Sequence, residues 1–203
     1  MMRQVIGGSL GDFVAFYDDD VEIVSVTRPQ ASKCGNFAER LIQSRQAPQL
    51  RWVQPADDPK APARELPSTI DADVHAALAD QITEASEVLG KLMDCERVGI
   101  RLETLSAPMC PRFHTDHVPC RMLITLSGVG TEWIPNGDVD WAVFADLETI
   151  APPVQANRQV QRLTTGHWSL LKGGAWDEGF RGVVHRSPHG VGERLLLSLD
   201  PVF

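Results

Sequence analysis

Between Ile70 and Leu92 apolar side chains recur every third or fourth residue (Ile70, Val74, Leu78, Ile82, Ala85, Leu89, Leu92), and from Arg97 onward the period drops to two. The first pattern lays one apolar stripe along an α-helix. The second sets Val98, Ile100 and Leu102 against Gly99, Arg101 and Glu103, the alternation of a half-buried strand. Met122, Ile124 and Leu126 repeat it, and Val160–Leu163, Ser169–Leu171 and Glu193–Leu199 read as further short strands between turn residues. An amphipathic helix followed by many short strands buries its apolar faces by packing helices on one sheet of a barrel or jelly roll. The expectation is therefore α+β, mainly β, within one domain spanning residues 1–203.

The first 96 residues carry the helices. VEIVSV (21–26) is β-rich and is expected to end at Pro29. Gly35-Asn36 opens a short helix over FAERLIQSRQ, with Phe37 and Leu41 on one face. Gln49–Ser68 reads as loop, because Pro55, Pro59, Pro62 and Pro67 remove donors, with Leu50–Val53 as a short edge strand. Ser68 is the expected N-cap of the long helix, with Asp71 in a capping-box position and Lys91 favouring its C-terminal end.

The residues able to do chemistry fall in Arg112–Trp133 and Val183–Leu199. On an extended chain His114 and Asp116 share a face, so both can grip one ion from one side. His185, on a distant strand, completes a set of two imidazoles and one carboxylate, the arrangement that suits non-heme Fe(II). Nine residues on, Arg194 shares a strand face with Leu196 and Ser198, while Leu195, Leu197 and Leu199 point the other way. A guanidinium among apolar neighbours wants a planar anion such as a carboxylate. By strand parity His117 faces away from His114, and His189 lies in a solvated turn.

His-x-Asp, the run from Arg121 to Gly130-Thr131-Glu132-Trp133, a later lone His and an Arg on the final strand resemble the double-stranded β-helix of the 2-oxoglutarate/Fe(II) oxygenases. More narrowly, GTEWIP, LLKG, VHRSP and GERLLLSLD resemble a bacterial domain-of-unknown-function family from Arg97 on. The resemblance implies a jelly-roll or cupin-like core over residues 97–203, with Fe(II) on His114, Asp116 and His185. It implies 2-oxoglutarate anchored on Arg194, with Thr125 and Ser198 in place of the Tyr and hydroxyl residue common in that superfamily. Arg121, Glu132 and Trp133 would line or support the cavity, and Pro135–Gln159 would be an insertion at its mouth. His167 occupies a place where relatives carry a small or acidic residue, so it is excluded as a ligand. The implied activity is hydroxylation or demethylation of a small-molecule or protein substrate.

A second reading comes from Cys110, His114, His117 and Cys120, which could hold zinc tetrahedrally in one loop. Relatives in the narrow family lie near zinc-responsive genes, which would make the chain a non-catalytic metal-binding protein of zinc homeostasis, using that loop or the His/Asp/His set. A third is a cupin-like fold that binds a ligand without metal. The net charge of −8 argues against a broad nucleic-acid face, and the longest apolar runs are too short to span a bilayer. The N-terminus lacks the apolar core of a signal peptide, and irregularly spaced Cys34, Cys95, Cys110 and Cys120 suit a reduced cytoplasmic compartment.

Overall fold

The computed structural model describes residues 2–28, 37–42, 49–149, 151–190 and 192–203. The expected strand end at Pro29, the helix opening at Gly35-Asn36, its continuation beyond residue 42, and Cys34 lie outside them. The strands are β1 (Arg3–Gly7), β2 (Val21–Val26), β3 (Gln49–Pro55), β4 (Arg97–Leu105), β5 (Cys120–Ser127), β6 (Glu132–Ile134), β7 (Gln161–Arg162), β8 (Trp168–Lys172), β9 (Val184–Arg186) and β10 (Arg194–Val202). Among the described residues they form a seven-stranded sheet ordered β1-β2-β8-β5-β10-β4-β3 and a three-stranded sheet ordered β7-β6-β9. β1 and β2 pair in parallel, and the other pairs are antiparallel. This is a double-stranded β-helix, and it takes β2 from the N-terminal part of the chain between β1 and β8.

The helices are α1 (residues 37–42), α2 (Ala61–Glu65), α3 (Ala72–Met93) and α4 (Trp141–Ala145). The stripe of α3 is buried as its period requires: Val74, Leu78, Ile82, Ala85 and Leu89 pack with Ile100, Leu102, Met122, Ile124, Leu195, Leu197 and Leu199 on one face of the large sheet. Its N-cap is Asp71 rather than Ser68, because the Asp71 carboxylate accepts from the backbone N–H of Asp73 (3.2 Å) and Val74 (3.3 Å). Pro67 and Ile70 are used up in a preceding turn. α2 corrects the reading of Gln49–Ser68 as loop: Pro62 sits in its first turn, where a missing N–H costs nothing. The period-two pattern likewise does not reveal the 3₁₀ helix Leu10–Tyr17, which buries Phe13 and Phe16.

The opposite face of the large sheet looks into the β-helix. Ile23, Leu123 and Leu171 meet Trp133, Leu163 and Val183 from the small-sheet side, with Leu196 packed against them. The alternation of β10 thus sorts its residues as parity dictates, with odd leucines under α3 and even positions turned inward. The outer face of the small sheet is covered by the insertion: Ile134 and Val184 pack with Phe113, Val139, Trp141, Phe144 and Val154.

Candidate metal centre

The His-x-Asp segment is not a regular strand. His114 forms a single antiparallel bridge with His185, each backbone N–H donating to the other's carbonyl at 3.0 and 2.9 Å. That bridge sets the two imidazoles side by side, with ring centroids 4.5 Å apart. Asp116 follows in a loop held from behind by glycines: the Gly174 N–H donates to the Asp116 carbonyl at 2.8 Å. A Cβ on Gly173 would lie 1.9 Å from the Val118 carbonyl oxygen, so a close backbone approach, more than a turn, demands glycine there.

His114 Nδ1 lies 3.0 Å from the Arg112 carbonyl, and His185 Nδ1 lies 3.0 Å from the Val183 carbonyl. A carbonyl only accepts, so both Nδ1 atoms carry the proton and both Nε2 atoms of the neutral rings offer lone pairs. These lone pairs face a carboxylate. Asp116 Oδ1 is 3.8 Å from His114 Nε2, and its Oδ2 is 3.3 Å from His185 Nε2. All three ligand atoms lie within 4.8 Å of one another, and no other such cluster of His, Cys, Asp and Glu occurs among the described residues. Acceptors converging in a half-buried site repel unless a cation or proton sits between them. A proton between His185 Nε2 and the carboxylate does the same as a cation: burial pushes the Asp116 carboxyl up, but with that proton in place the hydrogen bond and charge of His185 and the charges of Arg121 and His114 outweigh it and hold it well below the usual range. Burial and the neighbouring His185 press His114 below its ordinary value.

Arg121 does more than line a wall. Its Nη1 is 2.7 Å from Asp116 Oδ2, while Nε and Nη2 fork onto Asp200 at 2.6 and 2.8 Å, and Arg101 Nη2 reaches Asp200 at 2.7 Å. Asp200 and Arg101 were not singled out from the sequence. Asp200 has the inward parity of Arg194, Leu196 and Ser198, and that is the signal that points to it.

Arg194 is 2% exposed. Its Nη2 donates to the hydroxyls of Thr131 (3.2 Å) and Thr125 (3.4 Å), and its Nε and Nη1 are buried without a protein partner. Burial pulls its pKa down to about 10. Thr125 therefore joins Arg194, Ser198 lies buried on the same strand face, and Thr131 is an addition.

Other expected residues fall elsewhere. Trp133 stands opposite His185 across β6 and β9, on the inner face, buried among Leu123, Leu171 and Val183. Its neighbour Glu132 therefore points outward, bound by Arg186 at 2.8 Å and Arg162 at 2.9 Å, and it does not line the cavity. Cys120 corrects the loop-zinc reading. It is fully buried in the core under α3, on the face of β5 opposite Arg121, where burial pushes its thiol pKa up. His167 approaches Thr27 at 3.3 Å, outside the triad. His117 lies in a loop where strand parity does not apply, and it lines a cavity of about 450 Å³ together with Asp116, Trp141 and Arg181. A second cavity of about 540 Å³, between the insertion and Pro111–Phe113, contains none of the triad.

No helix among the described residues is long and apolar enough to cross a membrane. The fold is similar to the dioxygenase for auxin oxidation from Arabidopsis thaliana in binary complex with 2-oxoglutarate, at 11% identity and TM-score 0.57, covering 100% of this chain and 92% of that one. It is also similar to the rice dioxygenase for auxin oxidation, at 14% identity and TM-score 0.53, covering 100% and 83%. No curated protein matches the sequence. A family model described as protein of unknown function, DUF1826, matches residues 7–200, and this chain, whose fold is that of the two dioxygenases, belongs to the DUF1826 family.

Proposed function

We propose that this chain is a 2-oxoglutarate/Fe(II)-dependent oxygenase-like enzyme that hydroxylates or demethylates a small-molecule or protein substrate. The observation that carries the reading is the convergence of two Nε2 lone pairs and a carboxylate, with both Nδ1 protons committed to carbonyls. That donor set fits Fe(II), since two imidazoles and one carboxylate on one side leave the opposite side open. The buried Nε and Nη1 of Arg194 fit a carboxylate of 2-oxoglutarate, the ligand bound in the Arabidopsis dioxygenase of the same fold.

When bound, Fe(II) and 2-oxoglutarate supply O₂-dependent oxidation of a substrate. The residues of this chain do the rest. His114, Asp116 and His185 hold the ion, and the Arg112 and Val183 carbonyls fix the imidazole tautomers. Arg121 orients Asp116 by occupying one side of its carboxylate. Arg194, steadied by Thr125 and Thr131, orients the cosubstrate, and the apolar cluster around Trp133 excludes water behind it.

The test is elemental analysis of protein purified without a metal-affinity tag, followed by anaerobic titration of the Fe(II) protein with 2-oxoglutarate. A visible charge-transfer band is expected, and His185→Ala should remove both metal and band. An Fe(II)-loaded protein that gives no band at millimolar 2-oxoglutarate would end the oxygenase reading. Loss of metal in Cys110→Ser but not in His185→Ala would restore the loop-zinc reading.

A further inference from the structure

The cavity of about 450 Å³ over Asp116 has two unlike walls. One is the His-x-Asp loop, with Asp116, His117 and the backbone of Gly174. The other comes from α4, where the rings of Trp141 and Phe144 meet nearly at right angles with centroids 5.3 Å apart. Arg181 closes the space between them, its guanidinium carbon 4.6 Å from the centroid of the Trp141 ring. Arg181 makes no ion pair among the described residues, although the chain carries a net charge of −8.

The two walls are tied together and to the triad. Asn136, at the start of the insertion, donates from its side chain to the Gly182 carbonyl at 3.1 Å and to Glu22 at 2.8 Å. Its backbone N–H also donates to Glu22 at 3.1 Å. Gly182 has φ +86°, and a Cβ there would lie 2.7 Å from the Gly174 nitrogen, whose N–H holds the Asp116 carbonyl. Asp140 caps α4 through the Ala142 and Val143 N–H groups, both at 3.1 Å. Arg181, just before Gly182, and Trp141, just after the cap, are thereby fixed relative to Asp116.

A guanidinium stacked on an indole keeps its donor edge free, and that edge matches a planar anion with two parallel hydrogen bonds. Perpendicular aromatic rings beside it accept a flat apolar body. We infer that this cavity is the substrate-recognition site and that the substrate is a carboxylate with a flat apolar body, its carboxylate on Arg181 and its body against Trp141 and Phe144. The role as substrate rests on the oxygenase reading above; the anion selectivity does not. The insertion thereby becomes the specificity-determining element, with Arg181 as its charged counterpart across the cavity mouth.

The test uses 2-naphthoate and its neutral isostere 2-naphthamide as probes, titrated calorimetrically into the full chain loaded with Fe(II) under anaerobic conditions. The carboxylate should bind at least about tenfold tighter than the amide, and Arg181→Gln should remove roughly ten- to a hundredfold of its affinity, with Arg181→Lys recovering part. Trp141→Leu should weaken both probes alike. The 2-oxoglutarate band should persist in Arg181→Gln, which shows that variant to be folded. Equal binding of the two probes, binding of 2-naphthoate indifferent to Arg181→Gln, or no binding of either at millimolar concentration would overturn the inference. Arg181-dependent carboxylate binding without any 2-oxoglutarate band would uphold the anion site while removing its role in an oxygenase. A band with no carboxylate preference would sink the present inference alone.

Discussion

Arg194→Met should stabilise the ligand-free protein while impairing the cosubstrate-bound one. The guanidinium is 2% exposed, and two of its nitrogens have no protein partner. Burial lowers its pKa to about 10, and at about 1.4 kcal/mol per tenfold change in proton affinity the charged form is held at a cost of about 3 kcal/mol. Bonds to Thr125 and Thr131 offset part of that. Methionine fills the same space without charge, so a net gain of about 1–3 kcal/mol is expected, or about 2–4 °C in Tm per kcal/mol. Bound 2-oxoglutarate changes the ranking. At a hundred times its Kd it adds about 2.7 kcal/mol to the wild type. A variant binding ten- to a hundredfold more weakly gains only about 0.4–1.4 kcal/mol, so the two stabilities converge or invert. Urea unfolding of both proteins, anaerobically with Fe(II) and with or without 2-oxoglutarate, reads each quantity. Two results would refute the reasoning: Arg194→Met destabilising the ligand-free protein by more than about 1 kcal/mol, or equal stabilisation of both proteins by 2-oxoglutarate.

Arg121→Gln removes the contact that orients Asp116 and ties it to Asp200, and metal affinity should fall about 10–100-fold in a Co(II) titration. Burial raises the Glu22 carboxyl above its ordinary pKa, so the folded state holds its proton longer than the unfolded state. Wild-type stability should therefore decline relative to Glu22→Gln as pH rises from about 4.5 through the folded-state pKa, and urea midpoints at pH 5 and pH 7 measure that difference. Gly173→Ala drives a Cβ into the Val118 carbonyl, and thermal unfolding should show a loss of about 2–3 kcal/mol together with weaker metal binding, whereas exposed Gly179→Ala should leave metal binding intact.

Local periodicity determined much of this protein. The apolar stripe of α3 and the alternation in β4, β5 and β10 specify which side chains face the helix and which face inward, because helical and extended geometries repeat at 3.6 and 2 residues whatever lies around them. Parity alone put Arg194 on one strand face with Ser198, whereas Cys120, read as a loop ligand, is the first residue of β5 and faces the core. What parity could not supply is which strands become neighbours. The bridge that sets His114 beside His185, the register that puts Trp133 against His185 and so turns Glu132 outward, and the fork joining Arg121 to an Asp 79 residues away are all long-range pairings. The prolines around α2 hid a helix because a proline's effect depends on its position in the first turn, which sequence spacing did not reveal. Binding Glu22, Asn136 and Gly182 into one clamp needs three segments to meet, and only closure of the β-helix brings them together. Within α3, β4, β5 and β10 the sequence by itself determined which side chains share a face; the tertiary structure decided which of them meet and how the irregular segments turn, because facing direction follows from local backbone geometry only where that geometry is regular, and partnership from how the sheets close.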